Sequence, residues 1–417
     1  MSQKYYSSPR WSSELADCSN PMTFDTYSNC AFGCIYCFSM YWRGIGVGKD
    51  KYLNKEVRWV NPDYIKDMFS LKRQTQFSPY IKARRTLQWG GLSDQFDGYE
   101  KKYGKTLELL KIFKELDYPI TFSTKATWWL KDARYTDLFR NQKNWNVKFS
   151  IITLDEDKAR VIERGVPPPL ERIDGIKRFA ELNAGGATLR LRPFIMGISD
   201  GTYLDLITQA AKAGATALST EFFCLETRSR ILRDKYLPIF SELAGFDLWE
   251  FYKKYSINKS GYMRLNRNLK RPYIDNMQKL CKELGMRFYV SDAHFKERCD
   301  GANCCGLPDS WNFSKANWSN ALQLAKHNNG YVYYSMIENE INATYSHFNY
   351  GKAIGFNSGS VLNRSKFSNM TFAEYMHWLW NNPQSGQSPY KLFEGVLKPA
   401  GKDDNGDLIY KIDETRL

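Results

Sequence analysis

Three cysteines fall within eight residues of the stretch "SNCAFGCIYC": Cys30, Cys34 and Cys37, spaced C-x3-C-x2-C with Gly33 and two aromatics between them. A disulfide would use only two of these sulfurs. A structural zinc wants a fourth ligand close by, usually from a second CxxC-like pair, and the next cysteine is Cys224. A [4Fe-4S] cluster also takes four ligands. Three cysteines on one loop therefore leave one iron open, and an open coordination position is where a substrate or cofactor binds at a catalytic metal. A structural zinc and a redox-inert cluster are the competing readings.

Two other constellations could carry chemistry. "DAHFKERCDGANCCGLP" holds His294, Cys299, Cys304 and Cys305. It could supply ligands to a second cluster or a zinc, with Cys18, Cys224, Cys281 or His294 completing the set. One thiol could instead serve as a hydrogen donor. The plainer alternative is a tight glycine-containing turn with incidental buried cysteines. "FYKKYSINKSGYMRLNRNLKRPY" (251–273) has seven Lys or Arg, five aromatics and no acid. Its cations, among them Lys253, Lys254, Arg264 and Arg267, can neutralise phosphates, and its tyrosines can stack on unpaired bases. A solvated helical face with tyrosines turned into the core is the alternative. "GIGVGKD" (44–50) fails the phosphate-loop spacing, since no Ser or Thr follows Lys49. The four histidines, His294, His327, His347 and His377, pair with no nucleophile signature.

The elements that must position these residues alternate regularly. Short apolar runs at 22–29, 85–91, 120–126, 147–154, 189–197 and 217–223 are separated by helical patterns near 62–74, 101–116, 131–142, 170–184 and 203–214. Strand–helix–strand at this rhythm predicts right-handed βαβ units around a parallel sheet. In an open barrel or a doubly wound sheet the ligand site lies at the carboxyl ends of the strands, and the three cysteines directly follow the first. Beyond residue 224 the chain reads as basic and helical to about 285. One more strand follows ("MRFYVSD", 286–292), then a mixed tail with a helix in "TFAEYMHWLW". Tyr331, Tyr333 and Tyr334 in "GYVYYSM" read as strand residues. A hairpin is expected to turn at Asn405-Gly406.

Bulk composition sets the frame. The chain has 417 residues, 43% hydrophobic and 25% charged, with formal net charge +14. A basic balance attracts polyanions, and nucleic acid is the expected partner. No run is long enough for a membrane span. The first residues lack the apolar core of a secretory signal, so a cytoplasmic address is expected, where clustered thiols stay reduced.

The cysteine spacing after a first strand resembles the radical SAM superfamily. "WGGLSDQF" (89–96), "STKAT" (123–127), "FSIIT" (149–153), "VPPPLERIDGIKRF" (166–179) and "LRPFIMGISD" (191–200) resemble, in order, its spore photoproduct lyase-like branch. The resemblance spans about residues 20 to 225. It implies an α/β fold, a partial (β/α)6 barrel with a C-terminal α+β appendage: residues 1–225 as barrel, 226–310 as basic extension and 311–417 as a small terminal region. It implies a [4Fe-4S] cluster on Cys30, Cys34 and Cys37, with S-adenosylmethionine on the open iron and reductive cleavage to a 5′-deoxyadenosyl radical. Tyr36 would lie against the adenine. Gly90 and Gly91 would let backbone approach the methionine amine, with Ser93 and Asp94 adding polar contacts. Lys125 and Ser150 would hold the carboxylate and ribose end. An electron donor such as flavodoxin or ferredoxin is implied as well.

Two departures stand out. The family's lyase carries a tyrosine after the third cysteine and a separate hydrogen-donating cysteine downstream. Here Phe38 follows Cys37, and no cysteine lies between Cys37 and Cys224. The expected reaction is hydrogen abstraction from a nucleic-acid base, a DNA pyrimidine repaired or modified. The alternatives are a peptide or metabolite substrate, and a nucleic-acid-binding protein with a structural or redox-sensing cluster.

Overall fold

The computed structural model describes residues 5, 8–12, 14–39, 56–258, 261–347, 367 and 369–417. The "GIGVGKD" stretch lies outside them. All six expected apolar runs form strands: β1 Met22–Phe24, β2 Leu87–Trp89, β3 Ile120–Thr124, β4 Trp145–Ser150, β5 Ala187–Phe194 and β6 Ala215–Phe222. Strands β3, β4, β5 and β6 are consecutive parallel neighbours, with Phe122 opposite Val147, Ser150 opposite Arg190 and Arg190 opposite Ser219. The fold is mixed α/β with a parallel sheet, as the alternation implied.

The chain forms two compact units that interleave along the sequence. One comprises Met1–Ser8, Asp25–Ile65 and Trp89–Phe288; the other Pro9–Phe24, Lys66–Gln88 and Tyr289–Leu417. In the first unit, alternation along the strands sorts side chains onto two faces. Phe122 packs on Phe139 of helix Ala133–Phe139, with ring centroids 5.3 Å apart. Phe149 packs on Phe179 of helix Pro169–Glu181 at 6.0 Å. Side chains of opposite parity, such as Thr121, Asn146, Lys148 and Arg190, belong to the other face.

The helices are shorter than their periodicity suggested. The pattern at 101–116 is two helices, Gly98–Tyr103 and Lys105–Glu115, parted by Gly104 at φ 66°. The pattern at 62–74 gives Pro62–Phe69 and stops before Leu71, which is left-handed at φ 62°. The first strand also ends early. Asp25 turns its carboxylate to the N–H groups of Leu92 and Ser93, both at 2.8 Å, and so leaves the ladder.

In the second unit, β7 spans Arg287–Val290, its last two residues falling inside the unit. Strands β8 Leu397–Lys402 and β9 Leu408–Ile412 form the expected hairpin, with Gly406 at φ 84° in its turn. Tyr331 and Val332 pair with β9. Tyr333 and Tyr334 lie outside that strand, a correction to the sequence reading: Tyr334 packs on Trp380 at 5.6 Å and precedes helix Ser335–Tyr345. Helix Phe372–Asn381 opens with a capping box between Thr371 and Glu374. Among the described residues, no helix is long and apolar enough to cross a membrane.

Candidate radical site

The cysteine loop is fastened at both ends by other elements of its own unit. Gly33 and Cys34 pair antiparallel with Arg164 and Glu163, and the Ile35 N–H donates to the Ile162 carbonyl at 2.9 Å. At the other end, the Asp97 carboxylate accepts the Ala31 N–H at 2.6 Å and the Tyr99 N–H at 2.8 Å. Asp97 thereby caps helix Gly98–Tyr103 and holds the loop, and it is also hydrogen-bonded to the Cys30 thiol. Burial pushes its carboxyl up to about 7.

The three thiols are free, Cys34 buried and Cys30 and Cys37 half-buried. Burial raises Cys34 to about 12 and Cys30 well above its ordinary value. Cys37 lies within electrostatic reach of both. Among the described residues, no three His, Cys, Asp or Glu side chains are gathered as a ready metal-binding group, so the thiols are neighbours, not a closed ligand set. Their chemistry nonetheless suits a soft metal. Thiols this buried ionise readily only beside a cationic centre, and metal binding takes the thiolate form.

Tyr36 is the hub of a buried circuit. Its hydroxyl donates to Glu163 Oε1. Glu163 Oε2 meets Arg172 Nη2 at 2.6 Å, both side chains 1% exposed. Arg172 Nη1 donates to the Ser150 carbonyl at 2.7 Å, and Arg190 Nη1 donates to Ser150 Oγ at 3.3 Å. Lys125 Nζ sits 5.6 Å from the Tyr36 ring centroid, within cation–π range. Burial opposes the charge of Lys125, but Cys34 and Glu163 outweigh it and raise its affinity for a proton. Cysteine loop, Lys125 and Ser150 thus meet through one continuous network.

Gly90 stands where no side chain fits. Its φ is +89°, and a Cβ would come 2.4 Å from Gln95 Oε1 and 2.7 Å from the Ser123 carbonyl. Gly91 follows it, half-buried. Ser93 and Asp94 serve their own loop. Ser93 Oγ donates to the Tyr27 carbonyl at 3.0 Å. The Asp94 carboxylate accepts the Lys125 N–H at 2.6 Å, the Phe96 N–H at 2.9 Å and the Thr124 hydroxyl at 2.8 Å. Burial raises the Asp94 carboxyl above the usual carboxylate range. Both side chains act here by fixing the loop after β2 against the end of β3.

Five residues of this site escaped the sequence reading: Asp25, Asp97, Glu163, Arg172 and Arg190. One signal was available for Arg172. It falls on the buried stripe of its helix with Gly175, Ile176 and Phe179, where a lone arginine needs a buried partner.

The second cysteine group belongs to the other unit. Cys299 is buried, its thiol 3.4 Å from the Val290 carbonyl and 3.2 Å from the Val290 N–H, so it braces β7. Burial raises it to about 12. Cys305 contacts Gln88 Oε1 at 3.7 Å, and Cys304 lies within electrostatic reach of Cys18, Cys299 and Lys296. His294 Nε2 meets Glu394 at 2.9 Å.

The basic stretch is not one face. Lys253 and Lys254 are exposed on helix Leu248–Tyr255, Lys253 paired with Glu250 at 2.8 Å. Arg264 is exposed beyond the short strand Tyr262–Met263, and Arg267 begins helix Arg267–Glu283, half-buried. Two of the tyrosines are core residues, which corrects the picture of a stacking platform. Tyr252 is fully buried and donates to the Phe223 carbonyl at 2.6 Å. Tyr273 packs on Phe194 at 5.4 Å and Tyr203 at 5.9 Å.

No family model matches the chain, and no curated protein matches it. Among solved structures it is similar to a mutant of spore photoproduct lyase, with 17% identity, 69% of this chain and 80% of that one covered, and TM-score 0.49. The same lyase complexed with dinucleoside spore photoproduct gives 18%, 69%, 79% and 0.48. SuiB of Streptococcus suis bound to S-adenosylmethionine gives 16%, 67%, 52% and 0.42.

Proposed function

We propose that the protein is a radical SAM enzyme acting on a nucleic-acid base, most simply a DNA pyrimidine. The observation that carries this reading is the circuit Cys34–Tyr36–Glu163–Arg172–Ser150, which fastens a C-x3-C-x2-C loop beside Lys125 at the carboxyl ends of parallel strands. Cys30, Cys34 and Cys37 would hold a [4Fe-4S] cluster. With S-adenosylmethionine on its open iron, the cluster supplies the 5′-deoxyadenosyl radical that takes hydrogen from the substrate.

The chain's own residues do the rest. Lys125 offers a cation to the methionine carboxylate, a charge-assisted contact, and Ser150 offers a hydroxyl held in place by Arg190. Gly90 and Gly91 leave backbone open to the amine. Tyr36, with its hydroxyl tied to Glu163, presents a fixed ring to the adenine. Asp97 and Glu163 keep the cysteine loop from drifting as ligands exchange. The net charge of +14 favours a polyanionic substrate. An electron donor such as flavodoxin or ferredoxin would reduce the cluster.

The test is anaerobic reconstitution with iron and sulfide, then incubation with S-adenosylmethionine, dithionite and deuterated oligonucleotides. Deuterium recovered in 5′-deoxyadenosine supports the reading. A cluster whose EPR spectrum ignores S-adenosylmethionine, with no 5′-deoxyadenosine formed, would leave a binding protein with an inert cluster.

A further inference from the structure

The face of the parallel sheet turned away from the helices is unusually cationic. Alternation and register place Lys148 of β4 and Arg190 and Arg192 of β5 on it, with Lys125 just past the end of β3. Arg190 lies opposite Ser150 and Ser219, and Lys148 lies opposite Ser123 and Thr188. Across a strand pair such diagonal neighbours are within reach of long side chains, so the cations form one stripe. Among the described residues of these four strands, the only acid on this face is Glu221 of β6, paired with Arg192. Four cations against one acid leave a surplus of three.

That surplus has to be met by something. Lys148 is 3% exposed, and buried charge is costly without a counter-charge. The proposed cofactors do not remove the excess. A cluster on three thiolates carries one net negative charge, S-adenosylmethionine carries one net positive charge, and the two cancel. Lys125 and Arg190 gather around Ser150, at the end assigned to the methionine carboxylate. Lys148 and Arg192 remain beyond it. The Arg192 and Glu221 side chains are 21% and 30% exposed, so a ligand entering from the strand ends can reach the pair. A guanidinium and an ammonium converging from neighbouring strands suit a phosphate, which takes a planar fork from one and a point charge from the other.

We propose that Arg192 and Lys148 bind a phosphate group of the substrate, so that the molecule acted on is a nucleotide-level phosphate ester carried into the sheet face and not a neutral nucleoside. The proposal rests on the radical SAM reading and narrows its substrate class. Glu221 sets the affinity by sharing Arg192 with the incoming anion.

The experiment measures equilibrium binding to the reconstituted protein with S-adenosylmethionine present and no reductant. The probes are thymidylyl-thymidine and its methylphosphonate analogue, which differ in the charge of one linkage. The charged probe is expected to bind at least tenfold more tightly, and inorganic phosphate, but not acetate, should compete with it. Arg192→Gln and Lys148→Met should bring the ratio towards one. Glu221→Gln should instead tighten the charged probe, a direction that misfolding does not produce. Equal binding of both probes to the unaltered protein overturns the proposal, as do acetate competing as well as phosphate and Arg192→Gln shifting affinity in the same direction as Glu221→Gln. Formation of 5′-deoxyadenosine under dithionite is scored separately. If it forms while the probes bind equally, the phosphate site alone is wrong. If it does not form while the tenfold preference holds, the radical reading is wrong and the anion site stands.

Discussion

At the scale of single residues, the ion pair of Glu163 and Arg172 bears the most weight. It is fully buried and also anchors Tyr36 and the Ser150 carbonyl. Removing one partner leaves the other charge without compensation, at a cost of about 3–5 kcal/mol. Arg172→Met is therefore expected to lower stability by that amount in denaturant unfolding, and Glu163→Gln/Arg172→Met to recover part of it; equal losses in the single and double variants would refute the coupling. Gly90 makes a second residue-scale case. Gly90→Ala places a methyl against the Ser123 carbonyl at a φ of +89°, and left-handed strain with a backbone clash costs on the order of 1–3 kcal/mol. A midpoint of unfolding unchanged by that substitution would contradict the close approach.

At the scale of elements, the cysteine loop is held by a strand pair on one side and a helix cap on the other. Asp97 joins the cap of helix Gly98–Tyr103 to the Ala31 N–H. Asp97→Ala loses a cap and exposes two donors to lost bonding, about 1–2 kcal/mol in all. Because the same side chain positions Cys30, iron retained per chain after gel filtration should fall as well. A stability loss with full iron retention would make Asp97 a cap and nothing more. The hairpin of β8 and β9 offers a control remote in sequence. Gly406→Ala at φ 84° should cost about 1 kcal/mol and leave iron content untouched.

At the scale of the whole molecule, charge is the governing property. With a net charge of +14, association with DNA should weaken steeply with salt, each neutralised phosphate adding about 0.9 to the slope of log affinity against log salt. Lys253 and Lys254 are exposed, so replacing both with alanine should lower that slope by about 2 if both meet phosphates. Titration of duplex and single-stranded oligonucleotides across a salt series reads it directly. An unchanged slope would move the nucleic-acid surface away from this helix.

Much of this was legible in the sequence because the signals are local. Six apolar runs at βα spacing name the strands, Asn405-Gly406 names the hairpin turn, and C-x3-C-x2-C names a metal-binding loop. Each depends on residues close in the chain, where periodicity and turn chemistry act. The partners of that loop were not legible. Glu163 and Arg172 lie well over a hundred residues beyond Tyr36, and what joins them is the antiparallel pairing of Cys34 with Glu163, a register only the folded chain sets. Asp94 reads as a ligand contact and proves to be tied to Thr124 and Lys125, while Tyr252 and Tyr273 read as a stacking surface and prove to be core. The cationic stripe of Lys148, Arg190 and Arg192 is spread over two strands and becomes one surface only when parallel register aligns them. Sequence determines which chemistry a segment can offer; which segments share a face is decided by long-range packing, because burial and charge compensation are properties of neighbours in space.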